Sequence, residues 1–177
     1  MAKKPSYVGT LNAIANGERG GHEIFKAWSG STKDKKLKPV LDMVAIREME
    51  HSWAFEKRLC ELGYDIRPAK PAPELKKLIR LMKSDASDKE KFAAFGISEN
   101  ADRGRGDDQV DGLLQLLADK TIDPQTGALL GRFICEERDS GAQLLSAYRG
   151  MNRRAAARKR ARRAGKGAKK GAKSGAK

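Results

Sequence analysis

Apolar side chains recur at three- and four-residue steps in four stretches of this 177-residue chain. That spacing lines one face of an α-helix. The first predicted helix covers residues 6–28 and places Tyr7, Leu11, Ile14, Ala15 and Phe25 on a shared face, stopping at Ser29-Gly30-Ser31. The second covers 38–62, with Leu41, Val44, Phe55, Leu59 and Leu62 in register and Gly63 as its stop. A third pattern, 88–119, aligns Phe92, Phe95, Val110, Leu113 and Leu117, although Gly104 and Gly106 interrupt it. The fourth opens at Asp123-Pro124, a capping residue followed by proline at the first helical position, and runs through Leu130, Phe133, Leu144 and Tyr148 to about Gly150.

Short links join helices one to two and three to four. A proline-rich connector, 67–73, and a short amphipathic piece, 74–83, separate helices two and three. Short, long, short is the connectivity of an all-α four-helix bundle with one long crossover. The apolar residues of the short piece, Leu75, Leu78, Ile79, Leu81 and Met82, suit packing onto the bundle better than docking on a membrane.

Charge divides the chain into two parts. Residues 151–177 carry twelve of the 37 Lys and Arg side chains and none of the 23 acidic ones, so the net +14 falls almost entirely on the tail. The expected organisation is a near-neutral bundle, 1–150, and a basic tail, 151–177. The tail's cations are Arg153, Arg154, Arg158, Lys159, Arg160, Arg162, Arg163, Lys166, Lys169, Lys170, Lys173 and Lys177. Its start can continue the fourth helix, and from Gly165 its Gly-Ala-Lys composition predicts disorder. With no aromatic side chain to stack on bases, this composition fits sequence-independent binding of DNA or RNA phosphates. An anionic membrane is the weaker partner, since no apolar residue larger than alanine accompanies the charges after Met151. No membrane-spanning run or secretory leader is evident, and the two cysteines, Cys60 and Cys135, do not form a disulfide framework. The expected location is cytoplasmic, in association with the nucleoid or RNA if the tail binds there.

Polar groups interrupt every apolar stripe. Glu18 and His22 fall on the face of the first helix, and Glu48 and His51 on that of the second. Glu99 and Asp102 fall on the third, and Glu137 and Ser140 on the fourth. Burying an unpartnered carboxylate costs several kcal/mol or more, so partners or a metal ion must compensate them. Glu-x-x-His on one helix is a way in which helix bundles ligate metals. Glu136 and Asp139 turn away from the stripe toward its edge and read as solvated charges.

Glu18 and the run from Gly17 to Phe25, the Glu48-Met49-Glu50-His51 segment, and the 30- and 51-residue spacings from Glu18 to Glu48 and from Glu48 to Glu99 together resemble the ferritin-like di-iron carboxylate superfamily. Within it, the similarity is closest to demethoxyubiquinone hydroxylases, with rubrerythrin-like proteins next. The resemblance implies a metal site built from Glu18, Glu48, His51, Glu99 and Glu137, with His22, Asp102 and Ser140 as neighbours. It implies two iron ions, O₂ activation, and either hydroxylation of a small-molecule substrate or oxidation of ferrous iron. A homo-oligomer is one assembly left open by the sequence. The pattern departs at Glu137-Arg138-Asp139-Ser140, where serine stands in place of a second histidine. One half of a paired site would then take its nitrogen from His22, be bound by oxygens alone or be empty, and carboxylate-rich donors also suit manganese. A nucleic-acid-associated protein and a metal-free helical scaffold with a degenerate site are the competing readings.

Overall fold

The computed structural model describes residues 5–98, 113–114 and 117–174, with side chains described as far as Arg162. All regular structure among them is helical: α1 (Val8–Ser31), α2 (Lys38–Glu61), α3 (Pro73–Lys83), α4 (Asp88–Ala94) and α5 (Pro124–Ser174). No helix of the described residues is long and apolar enough to cross a membrane.

α1 and α2 form an antiparallel hairpin. Ser29 donates to Asp42 near its closed end, His22 meets the Ala45 carbonyl, and Ser52 Oγ donates to Ala15 O at 2.8 Å further along. α5 lies antiparallel to α2, from Arg58 beside Asp123 to Arg47 beside Ser140. Asp123 caps α5 as its sequence predicts, accepting from the Thr126 backbone N–H at 3.0 Å. α2 ends at Gly63, whose φ of +80° closes a left-handed cap with Tyr64 N–H donating to Leu59 O.

The connector after α2 runs along α1, held by the Asn12 and Asn16 side chains against the backbone of Arg67 and Ala69. α3 then packs on α1, with Met82 fully buried and Leu75, Leu78, Ile79 and Leu81 partly buried against the core. The short amphipathic piece therefore does pack onto the body.

Two expectations are corrected. The third helix does not run unbroken from 88: α4 stops at Ala94, and Gly96 at φ +72° terminates it. Ile97 N–H donates to Phe92 O and Gly96 N–H to Ala93 O, the pairing that closes a helix around a left-handed glycine. Glu99 and Asp102 lie outside the described residues, while Leu113 and Leu117 pack against the core. The tail, expected to lose order from Gly165, continues α5 as helix to Ser174. No proline interrupts it, and alanine, lysine and arginine are good helix formers, although each glycine costs about 1 kcal/mol.

The core is split. One apolar cluster gathers Ile24, Phe25, Trp28, Leu41, Val44, Phe92, Leu144 and Tyr148. The other gathers Tyr7, Leu11, Ala15, Phe55, Leu59, Leu130 and Phe133. On each of the three long helices, the residues between the clusters are polar: Glu18 on α1, Glu48 and His51 on α2, and Glu136, Glu137 and Ser140 on α5.

Candidate metal centre

His51 is the hub of this polar layer. Its ring is 4% exposed and packs edge-on against Phe133, with centroids 4.9 Å apart. Nδ1 lies 3.1 Å from Glu18 Oε2 and 3.5 Å from Glu137 Oε1, while Nε2 lies 2.7 Å from Glu136 Oε2. The ligand atoms of Glu18, His51 and Glu137 are all within 4.8 Å of one another. Two ligands each about 2.1 Å from one ion lie at most about 4.2 Å apart, so a slight contraction brings the three onto a single ion.

Glu137 Oε1 is buried and has no hydrogen-bond partner. Leaving such an atom unsatisfied costs about 1–3 kcal/mol, more for a charged group. The donor set of one imidazole nitrogen with several carboxylate oxygens matches first-row divalent ions such as Fe²⁺ and Mn²⁺. On these observations the residues fit a metal.

Without a metal, protons carry the compensation. Burial pushes the Glu48 carboxyl up to about 9, aided by the charges of Glu18 and Glu137. Burial also raises Glu18, against a hydrogen bond from His51. Burial disfavours the imidazolium of His51, but Glu137, Glu18 and Glu136 outweigh it and bring the ring to about 10. For Glu136, burial raises the carboxyl, yet hydrogen bonds from His51 and Arg132 hold it below the ordinary value. At neutral pH the layer holds a protonated Glu48 and a doubly protonated His51.

Three residues escaped the sequence reading. Glu136, assigned to solvent, accepts from His51 and lines an open cleft with Arg47 and Glu50. Asp139 is exposed as expected of a solvated charge, but it also pairs with Arg47 at 2.8 Å, which the sequence did not show. Arg47 also donates to Ser140 Oγ at 2.9 Å and Glu136 O at 3.0 Å. Gly21 is the third: a β-carbon there would fall 1.9 Å from Glu48 Oε2. The signal for it was two adjacent glycines, Gly20 and Gly21, inside an otherwise helical stretch, which marks a close approach of neighbouring groups. Gly20 serves α3 in the same way, beneath the Leu75 side chain.

The second half of a paired centre has less support. Ser140 is engaged by Arg47, and His22 Nδ1 sits 2.7 Å from Ala45 O, so neither belongs to the converging ligand set. Cys60 and Cys135 are both exposed and free. Comparison with known proteins finds no matching family model, no matching curated protein and no matching solved structure.

Proposed function

We propose that this chain is a divalent-metal-binding helical protein of the ferritin-like type, holding one ion between α1, α2 and α5. The observation that carries this reading is the buried Oε1 of Glu137, which accepts no hydrogen bond and converges with Glu18 on His51, 3.5 Å from its Nδ1. Glu18, Glu137 and Nδ1 of His51 would hold the ion, with Glu48 as an adjoining third carboxylate. Nε2–H of His51 would go on donating to Glu136, the orienting partner that ligating histidines require. Bound iron would supply the O₂-dependent redox chemistry that the resemblance implies; manganese would supply Lewis-acid chemistry.

A second reading rests on the two close contacts of His51, 2.7 Å to Glu136 and 3.1 Å to Glu18. These allow a metal-free polar layer in which protons balance the carboxylates, as a degenerate scaffold requires. Thermal unfolding separates the two. A ligand that binds only the folded state raises the melting temperature. Added Fe²⁺ under anaerobic conditions, or Mn²⁺, should raise it in the wild type and not in Glu137→Gln. Equal melting with and without metal would leave the scaffold reading.

A further inference from the structure

We propose that the basic end of α5 and the loop between α1 and α2 form one surface that binds duplex DNA. α5 leaves the body near Met151, the last of its side chains packed against the core. Arg154 pairs with Asp34 of the loop, and every side chain from 155 to 162 is exposed. The backbone stays helical to Ser174. At 1.5 Å per residue, the stretch beyond Arg154 extends about 30 Å.

The loop adds to this surface. A cleft of about 600 Å³ lies between it and α5, lined by Lys33, Lys35 and Lys36 on one side and by Arg154 and Arg158 on the other. Arg154 neutralises Asp34, and Asp88, the other acid of the cleft, accepts from Trp28 and Thr32. The three loop lysines are exposed. They carry the cationic surface back from the tail onto the body, which the charge distribution along the sequence does not show.

The chemistry of the arm selects the partner. Residues 155–174 contain nine Lys or Arg, no acid and no apolar side chain larger than alanine. A helix without an apolar stripe has nothing to insert into a bilayer. Lacking aromatic side chains, it offers no stacking platform for single-stranded bases. A polyanion of regular phosphates suits it, through counterion release. The major groove of B-form DNA, about 12 Å wide, admits a helix. The deep, narrow major groove of duplex RNA does not. The arm would lie in the groove while the loop lysines meet the flanking phosphates.

Fluorescence anisotropy with a labelled random-sequence DNA duplex of about three helical turns, titrated with the full chain at several salt concentrations, tests this. The expected log–log salt slope is about −5 or steeper. Lys33→Gln/Lys35→Gln/Lys36→Gln should bind about 10-fold more weakly, with the slope shallower by about 2–3. Arg158→Gln/Lys159→Gln/Arg160→Gln/Arg162→Gln should lose more, with circular dichroism and melting confirming that each variant folds. Duplex RNA, single-stranded DNA and phosphatidylserine vesicles should all compete poorly. Wild-type affinity in the loop variant, or equal affinity for any of those three competitors, would overturn the proposal.

Discussion

The Glu48 carboxyl rests on the bare α-carbon of Gly21, so close that a β-carbon at that position would overlap Oε2. One helix has given up a side chain to seat a carboxylate of its neighbour. Gly21→Ala should therefore separate fold from site. Alanine favours helix over glycine by about 1 kcal/mol, roughly offsetting the displacement of the end of a flexible side chain. The melting temperature should change little, while metal affinity falls about 10-fold as Glu48 is pushed aside. Calorimetric unfolding and metal titration of the same preparation check this; unaltered metal affinity would place Glu48 outside the site.

Glu136 and His51 define a second test. Glu136→Gln keeps the shape of the side chain and removes the charge that faces Nε2. Orienting partners of ligating histidines typically contribute 10- to 100-fold to metal affinity. A loss in that range is expected, read by competition with a chromophoric chelator. In a purely structural role, this substitution would change stability but not metal affinity.

Asp123 and Arg58 tie the start of α5 to the end of α2. Burial works against the Asp123 carboxylate, but hydrogen bonds from Thr126, Arg58 and Tyr7 hold it well below its ordinary 3.8. A carboxyl depressed in the folded state stabilises above its unfolded value, and that contribution is lost as pH falls below about 3.8. Asp123→Asn should cost about 1–3 kcal/mol at pH 7. Urea unfolding at pH 7 and at pH 2.5 should show the gap between wild type and variant narrowing with acid. A constant gap would mean that the charge of Asp123 contributes nothing.

Lys91 is almost fully buried and donates to Ser31 Oγ at 2.7 Å, Ser84 O at 2.9 Å and Met82 O at 3.0 Å. It satisfies the last carbonyls of α3, where a cation is also favoured by the helix dipole. Lys91→Met preserves bulk, removes the donor to Ser84 O and Ser31 Oγ, and leaves Met82 O with Ser31 Oγ alone. Denaturant unfolding should show a loss of about 2–4 kcal/mol. Metal affinity should be unchanged, because the α3–α4 corner packs beside Trp28, away from His51.

Helical periodicity made α1, α2 and the start of α5 legible, because each buries one face against a core. The third pattern misled because Phe92 and Phe95 continue a helical spacing across Gly96, and spacing cannot show a left-handed cap. Glu18, Glu48, His51 and Glu137 were legible as polar breaks in apolar stripes. Glu136 was not: it lies beside the stripe, and only the packing of α5 on α2 turns it toward His51. Gly21 acquires meaning only once Glu48 is placed opposite it.

Glu18, His51 and Glu137 are proposed to hold one divalent ion. Isothermal titration of metal-free protein with Mn²⁺, and with Fe²⁺ under anaerobic conditions, tests it most directly. One ion per chain is expected, bound more tightly as pH rises because the metal displaces protons from the site. Glu137→Gln and His51→Ala should each weaken binding at least about 10-fold. No binding by the wild type, or equal binding by both variants, would contradict it.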